Sequence, residues 1–206
     1  KGRTIVHDFG DGTKVFRLEH SPEGKKASQE IYGGGSELGG THTSWCTAAR
    51  SKECAFADYS RKGGELHTIH TPSGNVYQAH ADSDQLMDSN NDDVSDNKEN
   101  KDMPYISKAL DKVPDGIRLR VPRNIGVTSK QLTSALGHFK DHVRIAAAEN
   151  ENATAKHIST ALKDDDPDVR DAAIRNKNAN VEHIKKGMAD PVWFVKNAAL
   201  YKFSMV

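Results

Sequence analysis

The feature that most constrains the fold of this chain is a regular repeat, in which aliphatic residues return at every twenty-sixth position from Val127 onwards. Three successive rows of the chain match in this way, as with Leu132, Ile158 and Ile184. The other matching columns are Val127, Ala153 and Ala179; Leu136, Leu162 and Met188; Val143, Val169 and Val195; and Ala147, Ala173 and Ala199. A fixed period of this length is typical of repeat proteins, whose units bury their apolar faces only against neighbouring units.

Within each row the apolar residues follow a helical spacing, since Val143 and Ala147 are four positions apart and so face the same side of a helix. A polar break such as 164–168 separates two such stretches, and its proline suits the first turn of a helix, where a missing N–H costs nothing. We therefore predict three helical hairpins over 127–206. Each helix has roughly nine residues and is about 14 Å long at about 1.5 Å per residue.

The pattern Asp-Pro-Asp-Val-Arg-x-Ala-Ala at 166–173 resembles the HEAT-like and leucine-rich-variant helical repeats. This resemblance implies a solenoid-like domain whose surface docks a protein partner. The third row departs from the pattern around Trp193 and Phe194, and terminal repeats are commonly atypical because they cap the stack. These two side chains, with Tyr201, are expected to anchor a partner if the last repeat is open and to form capping core if it is closed.

A column of basic residues also follows the repeat, namely Arg144, Arg170 and Lys196. One interpretation is a basic ladder that binds a ligand. The other is that each cation pairs with a neighbouring acid, such as Asp168 or Asp141, and joins the repeats, which is the usual fate of such columns.

The residues in front of the repeats predict a small antiparallel sheet, so that the fold class is α+β. Segments 4–6 and 14–18 flank a glycine- and aspartate-rich turn, and segments 66–70 and 76–80 flank a second turn that contains proline and glycine. We expect an α+β domain over 1–103, and a linker or last strand over 104–126 because residues 117–121 alternate apolar and basic. Residues 44–50 are expected to open a helix.

An acidic segment covers 82–103, with eight acidic residues against two lysines, and it predicts a loop. Its oxygen-bearing side chains follow the spacing of a calcium-binding loop. The candidate ligands are Asp88, Asn90, Asp92, Asp96 and Glu99. The sixth position carries Asp93 where a calcium loop needs glycine, so a solvated acidic loop without a cofactor is favoured over a calcium site.

Cys46 is the candidate for chemistry, since it follows a tryptophan, lies near His42 and comes after a glycine-rich stretch at 33–40. A cysteine with a lowered pKa could act as the nucleophile of a hydrolase or transferase, with His42 as its base. A buried Trp–Cys pair in a small core is the alternative. With Cys54 the chain has two cysteines, too few for a disulfide framework.

Residues 41–88 carry an ordered set of short motifs, T-x-W-C-T-A, G-x-L-x-x-I, Y-Q-x-H and Q-x-M-D. This set resembles a pattern in phage-encoded proteins of unknown role. The resemblance implies a viral origin, and with it a location in a virion or in the host cytoplasm. The chain begins at Lys1 rather than at methionine, which fits proteolytic maturation of a virion component.

Charge and hydropathy exclude several classes of function. Lysine plus arginine equals aspartate plus glutamate, at 29 each. The chain therefore has no general attraction for nucleic acid. No apolar run reaches the length of about 18 residues that suggests a membrane span. We therefore favour a non-enzymatic protein that binds a protein partner through its helical repeats, with a Cys46-dependent enzyme as the rival hypothesis.

Overall fold

The computed structural model describes residues 1–31, 47, 56–61, 65–94 and 99–205. The chain divides into two compact units, Lys1–Leu119 and Arg120–Val206. The first unit contains a five-stranded antiparallel sheet with short helices, and the second contains a series of helices. The α+β class predicted from the sequence is therefore confirmed.

The sheet has its strands in chain order, each antiparallel to the next. They are β1 (Arg3–Asp8), β2 (Lys14–Leu18), β3 (His67–His70), β4 (Val76–His80) and β5 (Gln85–Met87). Both predicted hairpins are present, as β1–β2 and β3–β4. Gly74, in the β3–β4 turn, has a positive φ, a left-handed conformation that glycine adopts without steric cost.

The strand β5 lies inside the acidic segment 82–103, so the prediction of a loop over that whole segment is wrong. Leu86 pairs with Ala79 of β4 and is fully buried. This single aliphatic side chain fixes a short edge strand despite the carboxylates around it. After β5, the backbone turns at Asp88–Asp92 and reaches an isolated bridge between Met87 and Asp93.

Among its described residues the first unit also contains the α-helices α1 (Pro22–Ile31), α2 (Phe56–Ser60), α3 (Met103–Leu110) and α4 (Ile117–Arg120), the last of which ends at the first residue of the second unit. Part of the core of the first unit is a cluster in which Ala27 of α1 and Phe56 of α2 pack on Leu18 and Leu66, at the ends of β2 and β3. Apart from Thr47, the predicted helix at 44–50 and the glycine-rich stretch at 33–40 lie outside the described residues.

The strand or extended linker predicted over 117–121 is also wrong, because α4 occupies this place. Alternation indicates a strand only when the charged residues face water. Here both arginines are buried. Arg118 pairs with Asp84 at 2.9 Å, and Arg120 donates to the carbonyl of Gly126 at 3.1 Å, so the polar positions do not mark a solvent face.

The second unit holds the helices predicted over 127–206. They are α5 (Ser129–Ala135), α6 (Asp141–Glu149), α7 (Ala155–Ala161), α8 (Pro167–Arg175), α9 (Val181–Met188) and α10 (Trp193–Phe203). The second helices of successive hairpins pack together, α6 on α8 and α8 on α10. The aliphatic columns lie in the interior, as shown by the full burial of Val143, Val169 and Val195.

The first helix of each hairpin starts with the same local structure. Thr128, Thr154 and Asn180 are the N-cap residues and occupy the same column of the repeat. Each N-cap backbone N–H donates to the side chain three residues later, which is Gln131, His157 or His183, at distances of 2.9, 3.0 and 3.1 Å. This capping box satisfies donors that a helix start leaves unpaired, and it fixes where each hairpin begins.

The repeat extends further towards the N-terminus than the aliphatic columns from Val127 indicate. Asp102 is the N-cap of α3 and stands one full repeat before Thr128. Ile106 and Leu110, both buried, precede Leu132 and Leu136 by the same distance. Segment 104–126 therefore carries the repeat pattern as well. The pattern was hard to recognise in the sequence because the second helix of this segment is short and its arginines are buried.

Candidate docking surface on the last helical hairpin

Arg144 and Arg170 each bind an aspartate in the hairpin that follows. Arg144 Nε and Nη2 donate to the two carboxylate oxygens of Asp164 at 2.8 and 3.2 Å. Arg170 makes the same bidentate contact with Asp190, at 2.7 and 3.1 Å. Each ion pair therefore joins the second helix of one hairpin to the inter-helix turn of the next. The arginines pair with acids as the structural interpretation of this column expected, but the acids are Asp164 and Asp190 rather than Asp141 or Asp168.

The remaining guanidinium donors are used within the same hairpin. Nη1 of Arg170 donates to the carbonyls of Asp164 and Asp165, at 2.9 and 3.0 Å. The pair with Asp190 is largely buried. The hydrogen bonds from Arg170 hold the pKa of Asp190 below its usual value although burial acts in the opposite direction. These two arginines are occupied inside the chain.

Lys196, the third member of the column, is in a different situation. It lies on α10 and is exposed, and it forms no ion pair with any residue that the structure describes, although it is near enough to Asp190 to help lower the pKa of that carboxyl. No hairpin follows it in the described chain to provide an equivalent aspartate. Its charge faces the surface, where a partner could reach it.

A second column of the repeat, which contains Asn176 and Lys202, links successive hairpins through hydrogen bonds to backbone carbonyls. Asn176 Nδ2 donates to the carbonyls of Ala148 and Asn150, at 2.7 and 2.9 Å. In the last hairpin Lys202 takes the place of this asparagine, and its Nζ donates to the carbonyls of Ile174, at 2.9 Å, and Asn176. Sequence reasoning missed Lys202 in this column because a lysine does not resemble an asparagine, although both offer N–H donors.

The helix α10 is apolar on both of its faces. Its inner face holds the buried residues Val195, Ala198 and Ala199, which pack with Ile174 and Ile184. Its outer face carries large exposed apolar side chains, and we call this region, together with Lys196, the α10 surface. Its members are Trp193, Lys196, Leu200, Tyr201, Phe203 and Met205.

Leu200 is more exposed than the residues at the same position of the two preceding hairpins. Its column holds Ala148 and Ile174, both 0% exposed, whereas Leu200 is 48% exposed. Met205 likewise follows the buried residues Ala153 and Ala179 in its own column. The last hairpin therefore leaves uncovered two apolar positions that are interior in the hairpins before it.

The three aromatic residues of the α10 surface follow a different rule. Tyr201 stands in the column of Glu149 and Arg175, and Phe203 in that of Glu151 and Lys177; these four charged residues are all exposed. Trp193, which is 72% exposed, stands in the column of the exposed Asp141 and the half-buried Pro167. Aromatic residues thus replace mainly charged ones at positions that face water, and the columns of the sequence already contain this signal.

The two predicted anchors, Trp193 and Phe194, have different surroundings. Phe194 is half-buried and packs on the cluster of Ile174, Ile184 and Val195. Trp193 projects from α10, with its ring centroid 6.4 Å from that of Phe194. Phe194 therefore belongs to the core of the hairpin, and Trp193 is presented outwards.

The residues predicted to bind calcium form a tight turn where they are described. Asp88 Oδ1 accepts hydrogen bonds from the backbone N–H groups of Asn90 and Asp92, at 2.8 and 3.0 Å. Asp96 lies outside the described residues, and Glu99 resumes the chain after that gap. Within the described ranges, no group of three or more His, Cys, Asp or Glu side chains is arranged to hold a metal ion.

The predicted catalytic pair, Cys46 and His42, lies outside the described residues, but the neighbouring Thr47 is described. Thr47 is buried, its carbonyl accepts a hydrogen bond from Ser28 at 3.3 Å, and its hydroxyl donates to Oε1 of Gln78. Two of the short motifs, T-x-W-C-T-A and Y-Q-x-H, are therefore in direct contact through Thr47 and Gln78.

Asp102 is the centre of a polar cluster that sequence reasoning missed. Its buried carboxylate accepts hydrogen bonds from Ser73 at 2.5 Å, Asn75 at 2.7 Å and Tyr77 at 2.8 Å. Burial acts to raise the pKa of Asp102, but these donors outweigh it and keep the pKa low. Burial, reinforced by this carboxylate, raises the pKa of Tyr77 to about 12.

Comparisons of the chain with protein-family models, with characterised proteins and with solved structures found no match. Among the helices of the described ranges, none has the length and apolar composition needed to cross a membrane. The geometry described above is therefore the basis for a functional assignment, and the α10 surface is its most distinctive part.

Proposed function

We propose that this chain is a protein-binding or assembly protein whose helical hairpins form a solenoid-like docking arm. The single observation that carries the proposal is the exposure of Leu200 at a position where Ala148 and Ile174, in the two preceding hairpins, are fully buried. Large exposed apolar patches on folded proteins commonly mark interaction sites. Aromatic side chains such as Trp193 and Tyr201 are the residue types that most often provide binding energy in interfaces.

The hairpins and their last helix have separate roles in this function. The ion pairs of Arg144 and Arg170 hold successive hairpins together, which leaves Lys196 and the aromatic side chains of α10 for recognition. In keeping with the motifs in residues 41–88, we propose that the chain is phage-encoded and acts as a virion component or as a factor that engages a host protein.

Site-specific photocrosslinking tests this function. A benzoylphenylalanine placed at Tyr201 is expected to crosslink a protein partner in cells that express the chain, because Tyr201 lies within the proposed interface. The matched control places the same amino acid at Arg175, which occupies the same column one hairpin earlier and is also exposed. The crosslinked protein is then identified by mass spectrometry and purified.

Calorimetry with that purified protein completes the test. Leu200→Lys is expected to weaken its binding to the full chain at least tenfold, or about 1.4 kcal/mol, because a charged side chain would be placed in an apolar contact. Equal crosslinking at Tyr201 and Arg175, or equal affinity of the variant, would contradict docking at this surface.

We retain a hydrolase or transferase with Cys46 as nucleophile as a second candidate function. The observation in its favour is the buried contact of Thr47, the residue that follows Cys46 in the chain, with Gln78 of the sheet. Histidine side chains lie on the same strand as Gln78 and on its neighbour, and a cysteine enzyme needs such a base.

Rates of alkylation distinguish the two functions. A nucleophilic Cys46 should react with iodoacetamide faster than Cys54 at neutral pH, and its rate should follow a pKa well below about 8.5. Each cysteine is measured in a variant that carries serine at the other. Slow and equal labelling of both cysteines would remove the enzymatic alternative.

A further inference from the structure

The first strand, β1, lies at an edge of the sheet and exposes apolar side chains. Ile5 is 55% exposed and Val6 is 39% exposed. β2 pairs with one side of β1, and no other strand in the described part of the chain pairs with it. An edge of this kind offers backbone N–H and C=O groups to an additional strand. We propose that the additional strand is β1 of a second copy of this chain, antiparallel to the first and related to it by a two-fold axis.

The hydrogen bonds at the two ends of β1 show which residues turn their backbone groups to the free edge. The carbonyl of Gly2 accepts the N–H of the residue that follows β2, and the N–H of Phe9 donates to the carbonyl of the residue that precedes β2, both at 3.0 Å. Gly2 and Phe9 therefore face β2. Because successive residues of an antiparallel strand turn these groups to alternate sides, Arg3 and Asp8 direct theirs towards the free edge.

An irregularity in β1 places these two residues on the same face of the sheet. The register of β1 against β2 shifts by one residue near the middle of the strand. Arg3 lies opposite Leu18 and Asp8 lies opposite Lys14, and these two partners are four residues apart on β2. Side chains alternate along a strand, so positions four apart share a face. In a regular strand Arg3 and Asp8 would lie on opposite faces and could not meet across a two-fold axis.

The order of side chains along β1 is complementary to itself. When Arg3 lies opposite Asp8 of the second copy, Asp8 lies opposite Arg3 of the second copy, because a two-fold interface repeats every contact. Thr4 and His7, whose partners on β2 are two residues apart, then also lie opposite each other, and the apolar middle of the strand meets its copy at the axis. Opposite charges that face each other across a ladder stabilise it. A bulge commonly keeps foreign strands from an edge, and this one leaves a copy of β1 as the matching strand.

The charges at both ends of β1 are accessible for these contacts. Arg3 is exposed, its guanidinium lies 4.7 Å from the ring centre of Phe16, and it forms no ion pair with a described residue. Asp8 pairs with Lys14 at 3.1 Å, and both side chains are 42% exposed. A carboxylate has several acceptor sites, so Asp8 can keep Lys14 and also accept a guanidinium from the second copy.

The contact is small, and the pairing is therefore weak. Strands of six residues bury far less than the roughly 1,200 Å² of the smallest standard interfaces. Single chains should therefore predominate at micromolar concentrations, and dimers should form near about 1 mM or where copies are held close together. A two-fold contact uses the same strand of both copies, so it is complete with two chains. This inference concerns a contact other than the α10 surface and does not depend on the docking function.

Nuclear magnetic resonance of the full chain tests the pairing. Isotopically labelled and unlabelled chains are mixed in equal amounts at that concentration, and a filtered Overhauser experiment detects only contacts between copies. We expect a contact between the α-protons of Thr4 and His7, because these residues form the closely spaced pair next to Arg3 and Asp8. Absence of dimers, or dimers without this contact, would overturn the inference.

Charge-reversal variants provide a matched set, with circular dichroism used to confirm that each is folded. Arg3→Asp should reduce dimer formation at least tenfold because aspartates would face each other, and Asp8→Arg should do the same because arginines would. An equimolar mixture of the two variants places an aspartate opposite an arginine at both ends of the ladder and should dimerise again. Lys26→Asp, the same reversal at an exposed position on α1, should leave dimerisation unchanged.

The remaining outcomes identify other occupants. Single variants that dimerise like the original chain, or a mixture of folded variants that does not dimerise, would overturn the inference. A dimer lost only on Leu200→Lys would place self-association on the α10 surface instead. Photocrosslinks from Ile5 to a different protein, with none to a second copy, would show that another chain pairs with β1. The crosslinking of Tyr201 tests the docking function separately, whatever the result at β1.

Discussion

At the scale of single residues, Asp102 shows how a carboxylate can be buried among neutral hydrogen-bond donors. Three hydrogen-bond donors from the β3–β4 hairpin and its turn, on Ser73, Asn75 and Tyr77, converge on its carboxylate. Buried carboxylates are tolerated when such donors replace the water they lose. The side chain therefore links the start of α3 to the sheet within the first unit.

Replacement of this carboxylate by an amide should destabilise the first unit. Asp102→Asn removes the charge and turns one acceptor into a donor that faces other donors. We expect a loss of about 2 kcal/mol in the free energy of unfolding, the order of magnitude for an unsatisfied buried group. Urea denaturation measures the loss, and Asp92→Asn on the exposed turn provides the control; equal effects of the two substitutions would contradict the role of Asp102.

The capping histidine His183 predicts a dependence of stability on pH. Its Nδ1 accepts the N–H of Asn180 at 3.1 Å, and its Nε2 lies 2.8 Å from the hydroxyl of Ser159. The ring therefore fits this site in its neutral form. Burial, assisted by Lys186, lowers the pKa of His183 in the folded chain. The unfolded chain binds the proton more readily, so stability should decline as pH falls below about 6.5.

His183→Gln should weaken this dependence, because Gln131 already fills the equivalent capping position in the first hairpin without a titrating group. The cap itself, worth about 1 kcal/mol, should remain. Melting temperatures of both proteins from about pH 8 to about pH 5.5 give the comparison. The difference between the two proteins is the relevant quantity, because other histidines titrate as well. Burial lowers the pKa of His67, and it lowers the pKa of His70 to about 4. Parallel curves would show that His183 does not contribute.

At the scale of helices, Gly187 on α9 reveals how the hairpins adapt to one another. A Cβ at this position would lie 2.6 Å from Cδ1 of Ile174 and 2.9 Å from Cβ of Ala199. The equivalent positions one hairpin earlier are Ala161 and Ala148, where an alanine faces a smaller column neighbour. The glycine therefore makes room for the isoleucine.

Gly187→Ala should destabilise the second unit, since overpacking costs about 1–3 kcal/mol and outweighs roughly 1 kcal/mol of gained helix propensity. Ile174→Ala alone should cost about 2–5 kcal/mol. The double substitution recreates the alanine pair of the preceding hairpin, so its loss should be smaller than the sum by at least about 1 kcal/mol. Additive losses in a denaturation cycle would show that the two positions are independent.

The ion pair of Arg170 with Asp190 is the link between the second and third hairpins. Arg170→Gln leaves a largely buried carboxylate without its cation, and we expect a loss of about 3 kcal/mol in the free energy of unfolding. Arg175→Gln is the matched control on the same helix, where an exposed guanidinium pairs with Asp171. That pair should contribute less than about 1 kcal/mol. Similar losses for both variants would rule out a linking role.

The elements differ in how far the sequence could predict them. Helical spacing and a fixed period identify α5 to α10 because buried aliphatic residues dominate those columns. The short helix α4 was not predictable in this way, since Arg118 and Arg120 look like surface residues and are buried by polar partners. The columns predict the contacts between repeats, but the outward position of Trp193 and the inward position of Phe194 depend on three-dimensional packing.

At the scale of the whole molecule, the charge of Lys196 should oppose the pairing of two copies through their α10 surfaces. We expect sedimentation velocity at physiological salt to give the mass of one chain, 22.6 kDa, at micromolar concentrations. Lys196→Glu, which removes part of this repulsion from an exposed apolar face, should increase the tendency to dimerise. A dimer of the original chain that is lost on the Leu200→Lys substitution would contradict this expectation.

The last hairpin also affects whether copies of the chain can stack end to end into a filament. Units that stack through unlike ends can add without limit and produce fibres, because nothing in such a contact closes the assembly. A final hairpin identical to the inner ones would offer each new molecule the same stacking face. Lys196 stands in the column where Arg144 and Arg170 make bidentate contacts with the next hairpin. A lysine cannot reproduce that bidentate geometry, so stacking of a second copy on α10 would lack the contact that joins the hairpins, which disfavours growth into a filament.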